Sequence, residues 1–164
     1  YTGLQILLES WRKFVPSHPE ACLEIIGAGS MDKEIQRATK MIRGLVYRGF
    51  VPHGELPEIM KGARATVFPS LAYETFGLAI VESFSARVPV VASRIGAVPE
   101  IIEDGVNGIL FTPGDTDGLV QALTRMIGNE WNTLSQGAVN SAKNYSPDSY
   151  YNSLLVLYNS VESR

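Results

Sequence analysis

Two glutamates, Glu74 and Glu82, stand eight positions apart in the segment PSLAYETFGLAIVESF, residues 69–84. A carboxylate accepts hydrogen bonds and repels phosphate. Two of them beside one helix start therefore suit a ligand rich in hydroxyls, with a sugar or a cation between Glu74 and any phosphate. A helix is predicted from Phe76 to Ala86, so Glu74 precedes it and Glu82 lies within it. At ~1.5 Å per residue, Glu82 is about 7 Å along the axis from Gly77-Leu78. The amides of Phe76, Gly77 and Leu78 are then free at a helix N-terminus, which attracts a phosphate. Gly77 permits close approach of backbone to ligand, and Glu82 reaches two adjacent hydroxyls such as those of a ribose. Spacing alone also permits a plainer reading, in which Glu74 caps the helix and Glu82 is a solvated surface charge.

Other residues carry less chemistry. Gly27 and Gly29 in GAGS lack the third glycine of a dinucleotide fingerprint, and no acid follows about 20 residues on in a suitable loop, so a nicotinamide oxidoreductase is disfavoured. His18 and His53 have no carboxylate or second histidine at metal spacing and are expected to face solvent. Cys22, in the apolar run CLEII, reads as a buried, inert thiol. It is the only cysteine, so no intrachain disulfide or cysteine metal cluster forms. Tyr150, Tyr151 and Tyr158 fall near helical spacing and are expected to pack in a core or between domains. Glu100 is expected to cap the short helix after Pro99 or to bind its backbone.

The elements that must position these residues alternate. Leu4, Leu7, Leu8, Trp11 and Phe14 recur at helical spacing, and Pro16 and Pro19 stop them. Strands are predicted at Ala21–Ile26, Leu45–Val51, Ala65–Pro69, Val88–Ser93 and Asn107–Phe111. Helices are predicted between them at Met31–Ile42, Glu55–Ala63, Phe76–Ala86 and Val98–Glu103, then at Thr116–Gly128, Glu130–Lys143 and Pro147–Val161. Short apolar strands separated by helices specify a Rossmann-like, doubly wound parallel α/β sheet with helices on both faces. Ligands of such sheets bind beyond the strands' carboxyl ends. That places residues 27–30, 50–54, 70–77 and 93–99 on one rim.

The 164 residues suit a single domain, and a net charge of −3 favours neither nucleic acid nor an anionic membrane. No apolar stretch approaches the roughly 18 residues needed to span a bilayer, and no signal segment opens the chain. A cytoplasmic location is expected, with peripheral membrane association of the whole enzyme as the variant.

The ordered motifs resemble the C-terminal, donor-binding domain of the family-4 (group 1) retaining glycosyltransferases of GT-B fold. The family pattern PS-x-x-E-x-F-G-L-x-x-x-E is matched from Pro69 to Glu82. Flanking blocks match in order: IIGAGS (25–30), YRGFVP (47–52), ELPEIMKGARATVFPS (55–70), VPVVAS (88–93), GAVPEIIEDGVNGILF (96–111) and TPGD (112–115). The resemblance implies that Glu82 holds the ribose hydroxyls and that Glu74 is the catalytic carboxylate beside the donor sugar. It places Thr75 and the amides of Phe76, Gly77 and Leu78 near the diphosphate, Gly27 and Gly29 on the floor, and Phe50 and Val51 against the base through backbone. It gives Glu100, in the P-E-I block, a supporting role. It implies no cofactor and no divalent metal. It also implies a nucleotide diphosphate sugar as substrate, whose hexose would pass to a glycan, lipid or small-molecule acceptor, as in polysaccharide biosynthesis.

The chain departs from that pattern in three ways. The family's first strand, with its arginine, is expected to lie outside these residues, and Thr2-Gly3 stands at the Lys-Gly pair that would neutralise the diphosphate. Arg87 stands where a small residue ends the helix; it is expected to be strained and solvent-exposed. The family's N-terminal acceptor domain is expected to lie outside these residues, so the isolated chain is expected to bind nucleotide without transferring sugar. The rival reading is a truncated, non-catalytic remnant serving as a folded binding or packing module.

Overall fold

The computed structural model describes residues 3–162. Eight helices and five strands alternate: α1 (Leu4–Phe14), β1 (Leu23–Ile26), α2 (Asp32–Thr39), β2 (Leu45–Gly49), α3 (Leu56–Lys61), β3 (Thr66–Phe68), α4 (Leu78–Ser85), β4 (Val90–Ser93), α5 (Val98–Ile101), β5 (Gly108–Phe111), α6 (Thr116–Ile127), α7 (Trp131–Ala142) and α8 (Pro147–Glu162). All strand pairing is parallel. The α/β class and the element order read from sequence therefore stand, with no end shifted by more than three residues.

The sheet comes in two pieces. β1 pairs with β2, and β3, β4 and β5 pair in that order, with no ladder joining β1 to β3 among the described residues. The three-stranded piece is covered on both faces. Val91, Ile109 and Phe111 turn towards α1 and α6, where Leu7, Trp11, Leu119 and Met126 pack. Val90, Ala92 and Leu110 turn the other way, against Ile80 and Phe84 of α4, Val98 and Ile101 of α5, and Ala138 of α7. Alternate residues of a strand face opposite sides, and all four positions of β4 and of β5 are buried.

The β1–β2 pair behaves differently. Leu23 and Leu45 enter the core shared with α1, while Glu24, Val46 and Arg48 of the opposite face meet solvent. There Arg48 Nε donates to Glu24 Oε2 at 2.6 Å. Coverage on both faces thus holds for β3–β5 and fails for β1–β2. The same alternation corrects the reading of Cys22. It precedes inward-facing Leu23, so it points outward and is exposed.

No strand precedes α1 among the described residues; Tyr1 and Thr2 lie outside them. Gly3 caps α1 in the left-handed region, φ 74°, with no side-chain cap. A side chain there would strike the Pro69 carbonyl, so only glycine lets α1 start hard against the end of β3. A cavity of about 520 Å³ opens beside this contact, lined by Gly3, Leu4, Ile25, Ile26 and Pro69 among others. It lies at the division between the two sheet pieces.

At the far end, α8 shows Tyr150, Tyr151 and Tyr158 at 69%, 60% and 61% exposure. These tyrosines therefore join no core within the chain. Arg87 ends α4 with φ 67°, the only non-glycine in that region among the described residues. It is exposed.

Candidate functional site

The carboxyl ends of β1 to β4 lead into the four predicted segments, and parallel pairing brings 27–30 beside 50–54 and 70–77 beside 93–99. The loop from Ser70 to Gly77 carries Glu74. Ser70 Oγ donates to Glu74 Oε1 at 2.8 Å, and the Glu74 carbonyl accepts from the Ala97 amide at 2.9 Å. Gly96 lies flat against Glu74, its φ at 56°, and a Cβ there would meet the Glu74 nitrogen at 2.6 Å. The post-β4 segment therefore clamps Glu74 in place. Its carboxylate is oriented by Ser70 and does not cap α4.

The helix begins two residues later than predicted. Gly77 is its N-cap, φ 86°, and makes no side-chain cap bond. The left-handed turn at Gly77 excludes Phe76 and Gly77 from the helix. The first bond closes from the Ile80 amide to the Gly77 carbonyl at 2.9 Å. Among the described residues, the amides of Phe76, Gly77 and Leu78 donate to no protein acceptor. Thr75 and Leu78 are exposed, and Phe76 is 42% exposed. Three unpaired donors at the positive end of a helix form a ready seat for an anion.

Glu82 faces out from the second turn of α4, its side chain 40% exposed. His53, on the short turn after β2, brings Nε2 within 3.8 Å of Glu82 Oε1. This proximity was not visible in the sequence, where Glu82 lies 29 positions beyond His53. Phe50, 77% exposed, and half-buried Val51 lie just before that turn. The turn after β2 and helix α4 thus meet at the rim.

Gly27 and Gly29 fall elsewhere, on the wall of the 520 Å³ cavity with Asp32. The Gly29 amide is already spent on Asp32 Oδ1 at 2.7 Å, and the Gly27 amide on the Gly49 carbonyl at 2.8 Å. The predicted residues therefore form two groups. One is the loop and helix carrying Glu74 to Glu82, with the end of β2 beside it; the other is the glycine wall. Glu100 sits in the first turn of α5 and is exposed, while Ala97 caps that helix without a side-chain bond.

One acidic triplet escaped the sequence reading. Asp115-Thr116-Asp117 has the Asp-x-Asp form used by some metal sites, but each acid has other work. Asp115 Oδ1 caps α6, accepting from the Asp117 and Gly118 amides at 3.1 and 2.9 Å, and Asp117 Oδ1 pairs with Lys13 Nζ at 2.9 Å. That pairing raises the Lys13 pKa, chiefly through the hydrogen bond Lys13 donates to Asp117. No cluster of three metal-ligating side chains occurs among the described residues.

A parallel α/β domain with free helix-start amides between two carboxylates presents an anion seat on the rim of its sheet. The family model for glycosyl transferases group 1 matches residues 1–129, and the chain belongs to that family. An exopolysaccharide phosphotransferase of Streptomyces coelicolor is 34% identical over 128 residues, 75% of this chain and 13% of that protein. An uncharacterised glycosyltransferase of Methanocaldococcus jannaschii is 32% identical over 144 residues, 86% of this chain and 36% of that one. Anabaena HepE, solved in complex with UDP, superposes with a TM-score of 0.84 at 23% identity over 98% of this chain and 46% of its own. The chain has the fold of one part of a GT-B glycosyltransferase, and it spans under half the length of these relatives.

Proposed function

We propose that this chain is the donor-binding domain of a retaining glycosyltransferase that moves a hexose from a nucleotide diphosphate sugar. The observation that carries the reading is the trio of unpaired amides at Phe76, Gly77 and Leu78, flanked by clamped Glu74 and outward-facing Glu82. The diphosphate sits on those amides, where the helix dipole and three donors offset its charge. Glu82 accepts from the ribose hydroxyls. The base lies against backbone at Phe50 and Val51, while Gly27 and Gly29 stay on the wall of the neighbouring cavity. Glu74 faces the donor sugar, held by Ser70 and Ala97 so that it need not reorganise during the reaction. Thr75 adds a hydroxyl donor near the phosphates.

The donor is held without a cofactor or divalent metal, because helix-start amides supply what a cation would. Transfer to a glycan, lipid or small-molecule acceptor takes place with a second domain of the whole protein, in the cytoplasm. HepE's complex with UDP and the family match support this reading.

Calorimetric titration with UDP, GDP and ADP tests it. One of the three is expected to bind, and Glu82→Ala is expected to weaken it by about 1.5–3 kcal/mol, the worth of hydrogen bonds to a charged group. Absence of heat with all three on folded protein overturns the proposal.

A further inference from the structure

The loop that bears the three free amides is tied down very unevenly. Glu74 is fixed by Ser70, Gly96 and Ala97, and from Ile80 onward the helix and its core hold the chain. Between these anchors, Thr75 has no side-chain partner among the described residues and Tyr73 and Leu78 are 86% and 68% exposed. One contact secures this stretch. The ring of Phe76 meets the ring of Tyr145 edge-on, with centroids 6.0 Å apart and planes at 76°.

Tyr145 comes from a remote place, the short turn Lys143–Tyr145 between α7 and α8. It is itself held firmly, packed against the buried cluster of Ile80, Phe84, Val98 and Ile101. Burial pushes its phenol pKa up, with the charge of Glu100 adding to the effect. Its hydroxyl makes no hydrogen bond among the described residues, so the ring alone supplies the contact. Edge-to-face rings hold both distance and angle, and Phe76 carries the first of the three amides on its own backbone.

We infer that Tyr145 is a positioning residue for the donor site, orienting the Phe76–Leu78 amides through the Phe76 ring. This rests on the proposed seating of a diphosphate at those amides. It adds a residue from the α7–α8 junction, outside the segments that end the strands. The turn that launches α8 is thereby coupled to the anion seat.

The test is a double-mutant cycle on nucleotide affinity, read beside thermal stability. Tyr145→Leu is expected to weaken the bound nucleoside diphosphate about three- to tenfold, the range set by an aromatic edge contact. Tyr145→Phe keeps the ring and is expected to restore affinity to within about twofold of the original. In a Phe76→Leu background, Tyr145→Leu is expected to cost no further affinity while still lowering the melting temperature. Unchanged affinity in folded Tyr145→Leu overturns the inference, as does an equal further loss in the Phe76→Leu background. If the unmodified chain binds no nucleotide, the donor reading fails alone, and hydrogen exchange then decides this one. Faster exchange at residues 76–78 in Tyr145→Leu, with β4 unchanged, upholds it; identical exchange overturns it.

Discussion

The two pieces of sheet make an instructive pair. They share parallel pairing, strand length and an apolar core on the α1–α6 side, yet β3–β5 is buried on both faces and β1–β2 on one. The difference follows from which helices pack where. Helices α4, α5 and α7 close the second face of β3–β5, so its central strands tolerate nothing but apolar residues and one serine. The open face of β1–β2 carries Glu24 and Arg48 instead, an ion pair that suits solvent. The candidate site draws on both pieces, with Glu74 and the amides on the rigid side and His53, Phe50 and Val51 on the open side.

Substitutions on each side break or sharpen this contrast. The largest effect is expected from Phe84→Ala, because Phe84 is fully buried between β3–β5 and α7. Loss of about 3–5 kcal/mol in urea unfolding is expected, and a loss near 1 would mean that this face contributes little. Trp11→Phe tests the tie between the pieces, since Trp11 packs in the shared core and its Nε1 donates to the Arg43 carbonyl at 3.1 Å. A loss of about 1–2 kcal/mol is expected, with one cooperative transition. A separate early transition for β1–β2 would show that the two pieces unfold apart.

Smaller effects probe the edges. Arg87→Gly removes a side chain from a left-handed position while its carbonyl still accepts from Ser135 Oγ at 2.9 Å. A gain of about 0.5–1 kcal/mol in stability is expected; a loss would mean that the arginine itself stabilises the helix end. The smallest concerns the open face. The Arg48 hydrogen bond, with its charge, holds the Glu24 carboxyl below its ordinary value of 4.5 against the opposing effect of burial. A depressed carboxyl stabilises the fold above its unfolded pKa and loses that contribution as pH falls through the folded value. The melting temperatures of the original chain and Arg48→Met are therefore expected to differ at pH 7 and to converge below pH 4.5. A constant gap at every pH would remove the charge from the explanation.

Much of this was legible in the residues. Apolar runs of strand length punctuated by Gly, Pro and Ser gave the five strands, and period-3.6 patterns gave the helices. Parallel order then put residues 70–77 and 93–99 on the same rim, where the Glu74 carbonyl meets the Ala97 amide. Less local features were hidden. Cys22 looked buried because its run is apolar, yet strand phase turned it outward. Phe76 looked helical until the Gly77 turn set the start of α4 later. The pairing of His53 with Glu82, and the work already assigned to Asp115 and Asp117, depend on partners far away in sequence.

Amino-acid order by itself determined the class of fold, the succession of elements and the group 1 glycosyltransferase pattern around Glu74 and Glu82, because each is written in local spacing. Tertiary structure alone decided the division of the sheet, the clamp of Gly96 and Ala97 on Glu74, and the contact of Tyr145 with Phe76. Those depend on which surfaces meet when the chain closes, and contacts across 22 to 69 positions leave no local period to read.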